Sequence, residues 1–436
     1  MPNKITLYQK ISEPEKSILQ LLAIAYEPLA KTTIISCLRR LGVKTPNGVF
    51  FNQNTITQSL DSLSASGLIQ TKNEITLCPE LSFFCTKEAM SNGTFLPISE
   101  QILQEIPVKA SWGEGYQFKR YPRFLRHLRL RLFMGDPWSL INQLFHQAAH
   151  EFPEQIYREH PLITLFNYPF DKEYLKLFPA TIHYTVLEYL LYIAKMQLTS
   201  AQPVVAVLLE NISQNKDDAA SYHALLAHHL SLWGRWQEAG EHVAAIPKTS
   251  PELFLGLSGW QQTLAGNDHE AIDLFAKDYA MILKLTGKKK VFFEDISGVF
   301  FILSLIRTGE AKHLAKAAQY LNLIDSIKAH SLQTYSPPLR KGLALIQGLP
   351  DKAANKTYQQ NTGHAISPAN TLFIILADFW EDQSACRKKH TETLTDLRNR
   401  ARTAGQFWLA SEAADLLARL GIDEGKNRAL ADSIRQ

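Results

Sequence analysis

The apolar positions of the first hundred residues fall into three short helical stripes and then change period. Ser12-Glu13-Pro14-Glu15 combines a hydroxyl cap, a Glu three residues on and a Pro in the first turn, which marks a helix start. Ile18, Leu21, Leu22 and Ala25 follow it at helical spacing. After Glu27-Pro28 a second stripe, Ile34, Ile35 and Leu38, predicts a helix over 31–41 that stops at Gly42. Thr45-Pro46-Asn47-Gly48 reads as a turn, and Ile56, Leu60 and Leu63 define a third helix over 53–65 that ends at Gly67. Residues 68–77 then give two short β-prone runs around a polar tip. Three helices followed by a hairpin make a winged helix, and residues 1–96 are assigned to it.

The run Leu-Asp-Ser-Leu-Ser-Ala-Ser-Gly-Leu-Ile-Gln-Thr-Lys-Asn-Glu-Ile-Thr-Leu, residues 60–77, resembles the third helix and wing of bacterial winged-helix regulators. The resemblance implies a third helix that enters the major groove of DNA. Yet the outward positions Asn52, Gln53, Asn54, Thr55, Thr57, Gln58, Ser59, Asp61 and Ser62 include no Lys or Arg, the residues that neutralise phosphate and read guanine. Lys31, Arg39, Arg40, Lys44 and the wing-tip Lys72 are the cations this domain offers. A protein-contact use of the winged helix therefore stands beside the nucleic-acid one.

Residues 97–200 are expected to form a helical connector. Its most charged stretch runs from Lys119 to Arg131, with six Lys or Arg and no acidic residue. Pro122 suits a first helical turn, and Gly135-Asp136-Pro137 ends the helix. Phe124, Leu125, Leu128 and Leu132 share one face, while Arg123, Arg126, Arg129 and Arg131 spread over the other half. Lys119, Arg120, Arg123, Arg126, Arg129 and Arg131, with Lys72, are thus the candidate nucleic-acid-binding residues. The competing reading is a solvated helix face whose arginines pair with neighbouring carboxylates. The aromatic residues that follow, from Trp138 to Tyr192, recur at helical spacing and are expected to be core.

From residue 201 to 436 the pattern is one of helical pairs. Gly234-Arg235-Trp236-Gln237-Glu238-Ala239 and Gly266-Asn267-Asp268-His269-Glu270-Ala271 share Gly-x-x-x-Glu-Ala, 32 residues apart, each between two amphipathic runs. Thr308-Gly309-Glu310 marks a looser third unit. These motifs resemble the tetratricopeptide repeat, which implies helix pairs stacked into a superhelix with a concave, partner-binding face. The fold class expected is therefore all-α: a winged helix with a small β-wing, followed by a tetratricopeptide-like α-solenoid.

Composition narrows the function. The chain has 436 residues, 45% hydrophobic and 20% charged, with a net charge of +4, as expected of a globular protein and unlike a polycationic tail. No 18-residue apolar run is present to span a membrane, and the first residues carry no secretion signal, so a cytoplasmic location is expected. The cysteines Cys37, Cys78, Cys85 and Cys386 form no Cys-x-x-Cys pair and are expected to be free thiols. His146 and His150 are spaced as zinc ligands but lack the intervening Glu and a third ligand. His223, His228 and His229 share a helix and are expected at solvent or interface positions. Gly287-Lys288-Lys289-Lys290 lacks the earlier Gly and the following Ser or Thr of a phosphate loop. No catalytic residue, metal site or cofactor is expected.

Leu285-Thr286-Gly287-Lys288-Lys289-Lys290-Val291-Phe292-Phe293 and the segment through Phe301 resemble part of the helical N-terminal region of large bacterial Snf2-type helicase-like proteins. The resemblance implies an accessory region, with an ATPase motor C-terminal to it; no residue here matches that motor's motifs. The expected function is a non-catalytic regulatory or targeting module associated with nucleic acid. Its expected partners are a protein on the solenoid and double-stranded DNA, with no membrane. The alternative is a protein-interaction scaffold without nucleic-acid contact.

Overall fold

The protein is described from a computed structural model over residues 4–71, 74–110, 116–158, 161–166, 170–214, 219–250, 256–288, 290–293, 296–327, 330–349 and 367–435. It is almost entirely helical and divides into two compact units, Met1–Val186 and Leu187–Gln436.

The first unit begins with α1 (Lys4–Lys10), α2 (Glu13–Ala25), α3 (Lys31–Arg40) and α4 (Gln53–Ala65). The Glu15 carboxylate accepts from Ser12 N at 3.1 Å and from Ser12 Oγ at 2.7 Å, closing the entry to α2 as the sequence predicts. Asn52 caps α4 through Oδ1, which accepts from Asn54 N and Thr55 N. Strands β1 (Ile69–Gln70) and β2 (Thr76–Leu77) pair antiparallel, with Ile69 opposite Leu77. Leu29, between α2 and α3, bridges Ile75 and so ties the hairpin to the helices. The core of this layer is Ile18, Leu21, Ile34, Leu38, Ile56, Leu60 and Leu63, all buried.

Next come α5 (Pro79–Ser91), α6 (Phe95–Glu105), the pair β3 (Lys109–Ala110) and β4 (Tyr116–Gln117), α7 (Tyr121–Met134) and α8 (Trp138–Glu151). Short helices α9 (Pro153–Arg158), α10 (Pro161–Phe166) and α11 (Lys172–Leu175) complete the unit, and α12 (His183–Gln197) runs across the division. Phe166, Tyr174 and Phe178 pack edge-on or tilted against one another in this core, the role expected of these aromatics, whereas Tyr192 is 51% exposed.

The second unit continues with α13 (Gln202–Gln214), α14 (Ala219–Leu232), α15 (Trp236–Ala245), α16 (Leu257–Leu264), α17 (Asp268–Thr286), α18 (Ile296–Arg307) and α19 (Ala311–Ile327). It ends with α20 (His330–Gln333), α21 (Ser336–Ile346), α22 (Pro368–Glu381), α23 (Gln383–Thr403), α24 (Phe407–Arg419) and α25 (Glu424–Arg435). Gly234, Gly266 and Gly309 all have positive φ and turn the chain between α14 and α15, α16 and α17, and α18 and α19. Ala239 and Ala271 occupy matching, fully buried positions one turn into the second helix of each pair. At the second crossing, a Cβ added to Gly259 would lie 2.7 Å from the Phe275 ring, so the two helices approach as closely as a missing side chain allows. Ala271→Phe should overpack this crossing and lower stability by about 1–3 kcal/mol. An unchanged denaturation midpoint would disprove the pairing of α16 with α17.

The first helices of successive pairs form the inner layer, and that layer closes: α24 packs against α14. Trp260, Phe300 and Trp408 fill its centre, with Trp260 and Phe300 stacked at 5.4 Å and Phe300 edge-on to Trp408 at 5.5 Å. Two polar pairs lie beside it: Thr263 Oγ1 is 2.8 Å from Ser304 Oγ, and Arg307 reaches Glu412 at 3.3 Å. The concave groove expected of the repeats is therefore packed core, because this short array curls until its first and last inner helices meet.

Candidate docking surface

Helix α7 carries the arginines that the sequence marks as a phosphate surface, and it turns most of them inward. Its residues from Phe124 to Leu130 are all buried, so it is packed on both its apolar and its basic half. Arg126 is fully buried, forms an ion pair with Glu27 and donates from Nη2 to Ile106 O at 2.9 Å. Arg123 joins the same Glu27 carboxylate at 3.2 Å. Arg129 donates to Ala23 O at 3.1 Å and Thr86 Oγ1 at 3.0 Å, and its guanidinium lies 3.6 Å from the Tyr26 ring centroid. Tyr26 ends α2 in the left-handed region, at φ 56°, which brings Glu27 round to face α7. Arg131 pairs with Asp136 at 3.1 Å. His127 lies between Arg126 and Arg131 in the sequence, and burial, then those two cations, push it down to about 4.

The exposed phosphate-binding face expected of Arg123, Arg126 and Arg129 is thereby corrected: Arg126 and Arg129 are interior, and Arg123 is mostly covered and engaged by Glu27. A buried guanidinium must find partners, and these find theirs within the protein: Arg126 on Glu27 and Ile106 O, Arg129 on Ala23 O and Thr86 Oγ1. Of the other candidates, Lys119 is exposed, and Arg120 is exposed and 3.6 Å from Glu74. Lys72 lies outside the described residues.

Helix α23 also carries a row of exposed cations. Cys386, His390, Leu394, Leu397 and Ala401 form its buried stripe, and Arg387, Lys388, Lys389, Arg400 and Arg402 stand exposed beside it. Asp378 of α22 fixes one end of this helix. It accepts from Lys341 at 2.8 Å, Lys389 at 3.0 Å and His390 at 2.8 Å. Burial raises the Asp378 carboxyl, but hydrogen bonds from Lys341, His390 and Lys389 outweigh it and hold it down at about 2. The runs Arg387-Lys388-Lys389 and Arg398-Asn399-Arg400-Ala401-Arg402 were visible in the sequence, and their spacing beside a single apolar stripe was the usable signal.

The histidines also differ in their surroundings. His146 and His150 are exposed. His229, expected at a solvent or interface position, is instead buried against Trp233, and burial pushes it down to about 3. Phe292 and Phe293 of the segment that resembles Snf2-type proteins are core residues, and a Cβ on Gly298 would lie 2.8 Å from the Phe292 ring.

No protein-family model matches the chain, and no curated protein matches it. Among solved structures it is matched to a Signal Transduction ATPase with Numerous Domains (STAND) protein with a tetratricopeptide repeat sensor, from Pyrococcus horikoshii. Identity is 14% and the TM-score 0.28, over 99% of this chain and 64% of that one. The chain thus spans under two thirds of that protein. The helical-pair architecture rests on this chain's own geometry. Among the described residues no helix is long and apolar enough to cross a membrane.

Proposed function

We propose that the chain is a non-catalytic docking protein whose helical-repeat unit receives a partner of acidic character on the outer face of α23. The observation that carries this reading is the exposure of Arg387, Lys388, Lys389, Arg400 and Arg402 on one long helix whose other side is anchored in the core. The packed inner layer supports an outer docking face, since Trp260, Phe300 and Trp408 occupy the space a partner segment would take in an open array. Helix α4 offers only polar, uncharged residues and Asp61 outward, and the arginines of α7 are engaged internally, so a protein-contact use of the N-terminal helices and hairpin is favoured over a DNA-reading one. A motor-associated role like that of the Snf2-type proteins is a finer form of the same reading and rests on the resemblance of residues 285–301 alone.

A photo-crosslinker placed at Lys388 should capture one stoichiometric protein in the cells that make this chain. The same crosslinker at Lys119 should not, and a crosslinker at Glu392 in an Arg387→Glu/Lys388→Glu variant should lose the adduct. Duplex DNA gives the competing outcome. If α23 binds phosphates, removing Arg387, Lys388 and Arg402 should flatten the dependence of log K on log salt by about 0.9 per lost contact. Such a flattening would replace the acidic protein partner with nucleic acid.

A further inference from the structure

We propose that His269, Glu310 and His313 form a zinc-binding site that clips two successive helix pairs together. The three side chains each offer one ligand atom, and these atoms lie within 4.8 Å of one another. His269 Nε2 is 3.5 Å from Glu310 Oε1, and His313 Nδ1 is 3.7 Å from Glu310 Oε2. Ligands about 2.0–2.1 Å from a tetrahedral ion stand roughly 3.3–3.5 Å apart, so small side-chain rotations would bring the set to zinc. Two imidazoles and a carboxylate are a borderline donor set suited to zinc over magnesium or calcium, with the fourth position left for water.

The placement follows from the repeat. His269 sits in the first turn of α17, just past Gly266; Glu310 and His313 sit at the start of α19, just past Gly309. Stacking of successive pairs brings these two turns together, and the imidazole rings lie tilted to each other with centroids 5.8 Å apart. Thr308 Oγ1 lies 2.9 Å from His313 Nδ1, a contact that the hydroxyl gives up when that nitrogen takes the metal. Lys312 Nζ, 3.1 Å from Glu310, is the present counter-ion; its side chain is 73% exposed and free to swing into solvent as the metal takes its place.

The expectation of no metal rests on His146 and His150, which lack a third ligand; His269 and Glu310 stand 41 positions apart and share no local ligand motif. The test uses the full chain, stripped with chelator and returned to zinc. One zinc per chain should survive buffer exchange, and zinc at about a hundred times its Kd should raise Tm by roughly 5–10 °C. Cobalt(II) should give the intense visible absorption of a four-coordinate site. His269→Ala and Glu310→Gln, both at exposed side chains that leave the fold intact, should abolish retention, shift and spectrum together. The proposal is overturned if the chain retains no zinc at micromolar free metal. It is equally overturned if both variants retain zinc as the parent does, or if magnesium gives the same shift.

Discussion

Glu27→Ala is expected to destabilise the first unit by about 3–5 kcal/mol, the cost of leaving a buried charge unpaired. The carboxylate is shared by Arg123 and Arg126, and Arg126 is fully buried, so its guanidinium has no solvent to turn to. The loss is read as faster hydrogen exchange of the α7 amides and a lower denaturant midpoint. Adding Arg126→Met to Glu27→Ala should restore much of the stability, because an apolar side chain of similar length removes the orphaned charge while keeping the volume. A Glu27→Ala chain as stable as the parent would mean that α7 is not held against α2 in this way. The same geometry reverses what the sequence implies for Arg126→Ala, which would be nearly silent on a solvated face.

Trp408→Ala should cost the second unit about 3–5 kcal/mol. The indole is 2% exposed and lies 6.1 Å from the Trp260 ring and 5.5 Å from Phe300, so truncation leaves a cavity where the inner layer closes. Trp408 Nε1 has no hydrogen-bond partner, and Trp408→Phe should therefore cost markedly less, since packing alone is lost. Limited proteolysis after Gly405 and loss of tryptophan emission at short wavelength would report the opening. If the alanine variant melts with the parent, closure of α24 on α14 contributes nothing to the unit.

Local structure was legible wherever one residue type has one physical reason to be there. The Ser12 cap, the glycine stops at Gly42, Gly67 and Gly135, and the turns at Gly234, Gly266 and Gly309 all stand where the sequence puts them. Helical periodicity also placed Phe124, Leu128 and Leu132 correctly on a buried face. It says which residues share a face, however, and not how many faces are covered. Arg126 and Arg129 read as solvent-facing until α2, with Tyr26 and Glu27 at its end, is seen packed on their side. The expected groove fails for a related reason: repeat spacing fixes each pair, while the number of pairs and their cumulative twist decide whether the array stays open. The basic face of α23 could be read from its own spacing, whereas the His269–Glu310–His313 cluster depends on neighbours far away in sequence.

The meeting of α24 with α14 also sets an order of events during synthesis. Trp260 and Phe300 are made well before Trp408, which leaves the ribosome about 5–30 s later at roughly 5–20 residues per second. Until then the nascent chain presents the sides of Trp260 and Phe300 that Trp408 later covers. The unit therefore has a built-in interval in which a chaperone's apolar cleft competes for the seat that α24 finally takes.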